Sequence, residues 1–170
     1  MAGVGKSTTG RRVAEALGRP FVDLDAAIEE ASGRTVPEIF ATDGEARFRE
    51  HESEALAGVL AAAVPTVVAT GGGVVLSAAN RGLLAGHALT VWLRAEVGEL
   101  ISRLGRSRVD RPLLKGDLAA NVTALDDARR GLYAEVADVV VDVDGLDRAE
   151  VVSAVLAAIL GSVGVAEAPR

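Results

Sequence analysis

The sequence predicts an α/β fold in which a parallel β-sheet is covered by helices on both faces. Short apolar segments without regular alternation, a pattern typical of strands buried on both faces, are separated by segments with helical periodicity. The chain has 170 residues, of which 49% are hydrophobic, so it can bury the core of one domain. We therefore expect a single domain over residues 1–160 and a flexible tail over residues 161–170.

The predicted elements alternate along the chain. Apolar, β-rich segments predict strands at residues 20–25, 66–70, 88–93 and 138–143. Periodic segments predict helices at residues 11–17, 45–63, 97–104, 118–130 and 148–160. Gly18 is expected to end the first of these helices. A further helix should begin near Pro37, because Thr35 and Glu38 have the spacing of a capping box.

Composition and charge exclude several classes of protein. A net charge of −6 argues against a general nucleic-acid binder, because such a protein needs a basic surface. The chain has no cysteine and no recognisable signal peptide, so we expect a cytoplasmic protein. Residues 55–80 carry no charge, but Pro65 and the glycines at 71–73 divide them into separate elements, which argues against a membrane span.

The start of the chain has the features of a phosphate-binding loop. Its residues are Gly3, Val4, Gly5, Lys6, Ser7 and Thr8. In such loops glycines let backbone N–H groups approach phosphate oxygens, the lysine supplies a positive charge, and the serine hydroxyl can bind Mg²⁺. The full motif G-x-x-x-x-G-K-[ST] needs one more glycine before Met1, so a glycine-rich helix start with a solvated lysine is the alternative. A nucleotide site is favoured, and with it a P-loop NTPase type of sheet.

Two pairs of charged residues are candidates for substrate chemistry. Asp23 and Asp25 follow a predicted strand and share a face, so one carboxylate could face hydrated Mg²⁺ and the other a substrate hydroxyl. The alternative is that Asp25 only caps the next helix. Arg49 and Glu52 are three residues apart on a predicted helix, where the glutamate could orient the guanidinium toward a substrate carboxylate. A solvated helix face is the alternative for this second pair.

Gly71, Gly72 and Gly73 directly follow another predicted strand. Three successive glycines contribute no side-chain packing, which favours a place where a ligand lies against bare backbone, although a tight turn is the alternative. We interpret Trp92 and Tyr133 as packing residues rather than as a stacking platform for a base.

An arginine-rich segment follows the third predicted helix. Residues 103–114 contain four arginines, and a loop over about residues 104–117 could close as a lid over the phosphates and offset their charge. A mobile basic surface loop or a small nucleic-acid contact would give the same pattern.

Together, these segments resemble the shikimate kinase family. The resemblance rests on the order and spacing of GVGKST, FVDLD, ARFREHE, TGGGVV, RPLL and RRGLY, and of VDV in the last strand. It implies a P-loop kinase sheet of five parallel strands. It also implies phosphorylation of the shikimate 3-hydroxyl by ATP with Mg²⁺, in the chorismate pathway of aromatic amino-acid biosynthesis. The partners would be shikimate and ATP, with no nucleic acid and no membrane, and we expect a monomer.

The resemblance also implies roles for individual residues. Lys6 would contact the β- and γ-phosphates, Ser7 would bind Mg²⁺, and Asp23 would reach the metal through water. Asp25 would bind substrate hydroxyls and act as the base. Arg49, oriented by Glu52, and Arg129 would bind the substrate carboxylate. The ring of the substrate would lie against Gly71, Gly72 and Gly73. Arg111 would be the lid arginine near the transferred phosphate. Arg129 and Arg130 cannot be told apart by motif, because glycine stands where the family has proline in R-x-P-L-Y.

The first strand of the family fold has no counterpart in the sequence. That strand is central, so its absence should leave the edges of its two neighbours unpaired. We expect the natural chain to begin about ten residues upstream of Met1, the length of a strand before such a loop. The competing functions are another small-molecule P-loop kinase, such as one for gluconate, and a nucleotide-binding relative without catalytic activity.

Overall fold

The computed structural model describes residues 3–105 and 116–166, with side chains described through Ser162. Within these residues the helices are α1 (Lys6–Leu17), α2 (Leu24–Ser32), α3 (Val36–Thr42), α4 (Gly44–Leu60), α5 (Ala78–His87), α6 (Val97–Gly105), α7 (Leu118–Val136) and α8 (Arg148–Ala166). The strands are β1 (Phe21–Asp23), β2 (Val67–Ala69), β3 (Val91–Arg94) and β4 (Val139–Asp142), and a 3₁₀ turn covers Val74–Leu76. The predicted α/β fold is confirmed.

The described strands form two parallel pairs. β1 pairs with β2, and β3 pairs with β4. Within the described residues, β2 and β3 have no strand partner on their second edge. A cavity of about 400 Å³ lies between the two pairs and is lined by residues 67–69 of β2 and 91–93 of β3. The prediction that two strand edges are unpaired is therefore confirmed for the described residues.

Helix ends follow the local signals in the sequence. Gly18 has a φ of 61° after α1, and its N–H donates to the last turn, as expected for a left-handed C-cap. Before α3, the side chain of Thr35 accepts from the N–H of Glu38, and Glu38 accepts in return from the N–H of Thr35. The predicted capping box is present, with Pro37 in the first turn.

Three predicted helix C-terminal ends are wrong, and α1 begins at Lys6 rather than at residue 11. α4 ends at Leu60 rather than at residue 63. α7 continues to Val136 rather than ending at residue 130, and α8 continues to Ala166 rather than ending at residue 160. The last turns of α7 are helical because Tyr133 and Val136 are buried in the core, a tertiary contact that local periodicity does not reveal. α8 thus includes residues 161–166 of the predicted tail. α2 and α5 are further helices whose bounds were not predicted.

The main core lies between the strand pairs and the helices. Leu24, Leu56, Leu100, Val122 and Val143 are completely buried there. A second, smaller cluster joins α2, α3 and α4 through Ile28, Ile39 and Phe48. α4, which carries Arg49 and Glu52, is thus packed on both clusters and cannot move independently of them.

The uncharged segment 55–80 spans several elements rather than one. It includes the end of α4, β2, the 3₁₀ turn and the first residues of α5. None of the helices in the described part of the chain is both long and apolar enough to cross a membrane.

The capping box of α3 provides a test of local stability. Thr35→Ala removes the side-chain acceptor for the N–H of Glu38, so we expect the free energy of unfolding to fall by about 1 kcal/mol. Thr35→Ser keeps the hydroxyl and should retain most of the stability. Urea unfolding of the three proteins measures the difference, and equal losses in both variants would contradict the capping role.

Candidate active site

The glycine-rich loop leads directly into α1. Gly3 and Gly5 have φ values of 84° and 85°, so both adopt the left-handed conformation that favours glycine. α1 begins at Lys6 with no side-chain cap and no acidic residue in its first turn. Backbone N–H groups at a helix N-terminus attract anions, so this end of α1 is suited to phosphate. Ser7 and Thr8 are exposed beside it, whereas Val4 is buried in the core.

The carboxylates at the end of β1 have separate roles. The Oδ1 atom of Asp23 accepts from the N–H groups of Asp25 and Ala26 at 3.1 and 3.5 Å, so Asp23 is the N-cap of α2. The alternative in which Asp25 caps this helix is wrong. Asp25 lies in the first turn instead, and its buried Oδ1 has no hydrogen-bond partner within the described residues. That oxygen therefore keeps an unused capacity to accept a hydrogen bond.

Arg49 lies between two carboxylates on α4. Its Nη1 donates to Oε2 of Glu52 at 2.7 Å, and its Nη2 donates to Oε1 of Glu45 at 2.9 Å. Glu52 is completely buried, and its Oε1 has no partner in the part of the chain that the structure describes. Three hydrogen bonds from Nε, Nη1 and Nη2 fix the plane of the guanidinium, so Arg49 is oriented as expected for binding a planar anion.

The glycines after β2 make room for these side chains. A Cβ atom on Gly73 would overlap the guanidinium of Arg49, and a Cβ on Gly71 would lie 2.6 Å from Oε1 of Glu52 and 3.2 Å from Oδ1 of Asp25. The segment also turns, because the N–H of Leu76 donates to the carbonyl of Gly73 at 3.0 Å. The structure thus explains why positions 71 and 73 are glycine: protein side chains approach the backbone too closely for any other residue. The sequence alone did not reveal this reason.

Burial controls the electrostatics of this cluster. Burial raises the pKa of the Asp25 carboxyl, and Asp23 raises it further, whereas Lys6 and Arg49 lower it. Burial also raises the pKa of Glu52, which Arg49 lowers in part. The two carboxyls each bring an unpartnered oxygen to the same side of Gly71. The charge of Lys6 acts on Asp25, so the phosphate loop and this carboxyl belong to one site.

α7 distinguishes the two adjacent arginines. Arg129 is buried, its Nε has no partner among the described residues, and its charge lowers the pKa of Glu52. Arg130 points elsewhere, because its Nε donates to Oδ2 of Asp126 at 2.7 Å and its Nη1 lies 4.0 Å from Glu96. The geometry favours Arg129 as the arginine of the site.

Most of the predicted site residues lie together. The loop over residues 3–8, Asp23, Asp25, the Arg49 and Glu52 pair, the three glycines and Arg129 surround the carboxyl ends of β1 and β2. Arg111 and most of the predicted lid lie outside the described residues. Sequence reasoning missed Glu45, although its position four residues before Arg49 signals a helical ion pair. It also missed the hydroxyl of Tyr133, which no local pattern reveals.

A helix N-terminus suited to phosphate, together with a buried carboxyl and an oriented arginine at the ends of parallel strands, is the arrangement expected of a P-loop kinase for small molecules. The family model described as Shikimate kinase matches residues 2–160. This chain belongs to the shikimate kinase family.

Individual relatives agree with this assignment. The shikimate kinase of Ruegeria pomeroyi is 47% identical over 85% of this chain and 73% of that protein. Among solved structures, the shikimate kinase from Acinetobacter baumannii in complex with shikimate has a TM-score of 0.88 and 35% identity, and the match covers 94% of this chain and 88% of that one. A gluconokinase from Sinorhizobium meliloti is less similar, with a TM-score of 0.58 and 25% identity over 98% of this chain and 89% of that one.

The contact between Gly73 and Arg49 predicts an unusual cost for a small substitution. In Gly73→Ala the new methyl group would displace the guanidinium and leave the buried Glu52 without its partner. We expect the free energy of unfolding to fall by about 2–3 kcal/mol. Urea unfolding measures this loss.

Gly82→Ala is the matched control for that substitution. Gly82 lies in α5, and a Cβ atom there would have nothing within 4 Å. This variant should be more stable by about 0.5–1 kcal/mol, because alanine restricts the unfolded chain. An unchanged or increased free energy of unfolding in Gly73→Ala would contradict the predicted contact between Gly73 and Arg49.

The raised pKa of Asp25 predicts a pH dependence. The unfolded chain loses this proton near the ordinary value of 3.8, whereas the folded chain holds it to higher pH. The free energy of unfolding contributed by this group therefore falls as the pH rises through that interval. Asp25→Asn should make the protein more stable at neutral pH, and the gain should shrink as the pH is lowered toward about 4.

Thermal unfolding of both proteins across this pH range provides the measurement. Asp127→Asn, at an exposed position on α7, controls for the loss of one negative charge. A destabilised Asp25→Asn protein at neutral pH would contradict the prediction.

Proposed function

We propose that this chain transfers the γ-phosphoryl group of ATP to the 3-hydroxyl of shikimate. One observation carries the proposal: a buried carboxyl, Asp25, and an arginine held by two glutamates, Arg49, meet at the glycines that follow β2, within electrostatic reach of Lys6. Such a site offers a proton acceptor, a carboxylate grip and a phosphate site side by side. A small hydroxy acid is the acceptor that needs all three.

The nucleotide would bind at the start of α1. The N–H groups of the loop over residues 3–8 would contact the phosphates, and the Lys6 ammonium would neutralise charge on the β- and γ-phosphates. Catalysis of phosphoryl transfer depends mainly on such positioning and charge stabilisation. Arg111 would add a positive charge near the transferred group, as the family resemblance implies.

Mg²⁺ would share the phosphate oxygens. The donors present suit this metal, because Ser7 offers a hydroxyl and Asp23 a carboxylate at the same end of the sheet. Oδ1 of Asp23 accepts from the backbone of α2, so contact through a water molecule suits its other oxygen. When bound, the ion would offset charge on the β- and γ-phosphates. Among the described residues, no group of three or more His, Asp or Glu side chains could hold a metal ion.

The acceptor substrate would be held by the side chains that face the nucleotide site. Arg49 and Arg129 would bind the carboxylate of shikimate, and the unpartnered Oδ1 of Asp25 would accept a hydrogen bond from the reacting hydroxyl. As the hydroxyl oxygen attacks the γ-phosphorus, the bond from that phosphorus to the β–γ bridging oxygen would break and ADP would leave, while the hydroxyl proton would pass to Oδ1 of Asp25. Because burial raises the pKa of Asp25, the carboxylate is a stronger base than an exposed aspartate. A monomeric, cytoplasmic enzyme stays our prediction.

Shikimate-dependent release of ADP from Mg-ATP tests the proposal. We expect turnover with shikimate and little with gluconate, because the glycine-lined site with its arginines favours a compact cyclic acid. Asp25→Asn should lower kcat by at least about a hundredfold, since the proton acceptor is lost. ATP binding without acceptor-dependent ADP release would identify a non-catalytic relative, and preference for gluconate would identify the other kinase class.

The two neighbouring arginines provide a matched pair of variants. Arg129→Ala should raise the KM for shikimate by at least about tenfold, because a charge-assisted hydrogen bond to the carboxylate is lost. Arg130→Ala should leave this KM within about twofold, since its guanidinium binds Asp126 outside the site. Steady-state kinetics at saturating ATP separates them, and the reverse pattern would contradict the assignment.

A further inference from the structure

Tyr133 is the single tyrosine of the chain and lies on the buried face of α7. Its hydroxyl donates to the backbone carbonyl of Gly72 at 2.5 Å. Its ring packs on Trp92, with ring centroids 5.6 Å apart. The predicted packing role is therefore correct for the ring, but the hydroxyl makes a polar contact with the middle glycine of the site.

Gly72 lies between the two arms of the proposed carboxylate site. On one side, the next residue, Gly73, is the surface on which the Arg49 guanidinium rests. On the other side, Arg129 lies one helical turn before Tyr133, on the same buried face of α7. The bond from Tyr133 to Gly72 therefore links the backbone beneath Arg49 to the helix that carries Arg129.

Neighbouring carbonyls of the same segment are held from a different helix. Nδ2 of Asn80 donates to the carbonyl of Val74 at 3.2 Å, and Nη1 of Arg81 donates to the carbonyl of Val75 at 2.9 Å. Both donors belong to α5. Arg81 also ties this turn to α7, because its Nε donates to Oε1 of the exposed Glu135 at 2.8 Å. The contact with Tyr133 differs in that it is made to Gly72 itself, next to the glycine on which Arg49 rests.

We propose that Tyr133 is a positioning residue, which sets the separation of Arg49 and Arg129 by anchoring Gly72 to α7. The inference rests on the proposed function, in which these two arginines bind the acceptor carboxylate. Two arginines bind one planar anion well only when their separation matches it. Loss of the anchor should weaken binding of the acid and leave nucleotide binding unchanged.

The hydroxyl remains a donor over the range in which the enzyme would be assayed. Burial raises the pKa of Tyr133, an effect that Arg129 opposes and that Asp126 and Glu52 reinforce. The phenol therefore stays protonated well above neutral pH, and the carbonyl of Gly72 keeps its partner.

Steady-state kinetics of Tyr133→Phe tests the inference, because this variant removes the hydroxyl and keeps the ring on Trp92. We expect the KM for shikimate to rise about tenfold, the change given by one lost hydrogen bond of ordinary strength, with the KM for ATP and kcat within about twofold. Val136→Ala is the control: it removes buried volume three residues further along α7 without touching the hydroxyl. It should lower thermal stability and leave the KM for shikimate unchanged.

Ring fluorination gives a second measurement that needs no substitution. Because Tyr133 is the single tyrosine, growth with 3,5-difluorotyrosine modifies this residue alone. Fluorine makes the phenol more acidic, so the donor is lost at lower pH. The KM for shikimate should then rise with pH in the fluorinated protein before it does so in the ordinary protein, while the KM for ATP follows the same course in both.

The outcomes separate this inference from the function on which it rests. Wild-type protein without shikimate-dependent ADP release would overturn the proposed function, and the inference with it. Active wild-type protein with an unchanged KM in Tyr133→Phe, or an equal rise in Val136→Ala, would overturn the positioning role alone. If Tyr133→Phe does not fold, the fluorinated protein decides: a pH profile identical to that of the ordinary protein would overturn the inference.

Discussion

The ion pair between Arg49 and Glu52 is the interaction on which the rest of the site depends. Glu52 is completely buried, and a lone buried carboxylate would cost several kcal/mol. Arg49 compensates for this cost, and its guanidinium also pairs with Glu45 and fills the space that a Cβ atom on Gly73 would need. The need for glycine after β2 and the orientation of Arg49 both follow from placing this pair beneath the strand ends.

The topology explains why residues distant in sequence meet there. β1 and β2 are parallel, so Asp23 and Ala69 are register partners and the chain leaves both strands at one edge. α4 lies between β1 and β2 in sequence and packs on both core clusters, which holds Arg49 against that edge. β3 and β4 form the second pair across the cavity, and α7, which leads into β4, brings Arg129 and Tyr133 to the first pair. The site therefore depends on helices crossing between the two strand pairs.

Local signals predicted local structure well. The left-handed Gly18 and the Thr35 capping box were predictable because each depends on a few neighbouring residues. The end of α7 was not predictable, since its last turns are stabilised by burial of Tyr133 against other elements. The site followed the same rule: motif spacing predicted Asp25 and Arg49, but the hydrogen bond of Tyr133 to a backbone carbonyl 61 residues away has no sequence signature.

The places where this chain departs from ordinary folding rules coincide with the proposed chemistry. α2, α3, α5 and α7 each begin with a side-chain cap, whereas α1 and α4 begin without one, and of these two only α1 follows the glycine-rich loop. A cap would satisfy the N–H groups that phosphate is proposed to bind. Asp25 likewise keeps an unpartnered buried oxygen, which stability alone would remove. Each departure costs stability, and in the proposed reaction one of the two substrates would relieve it. Binding energy would then offset strain that the fold maintains in advance, which is how a preformed site favours the reacting geometry.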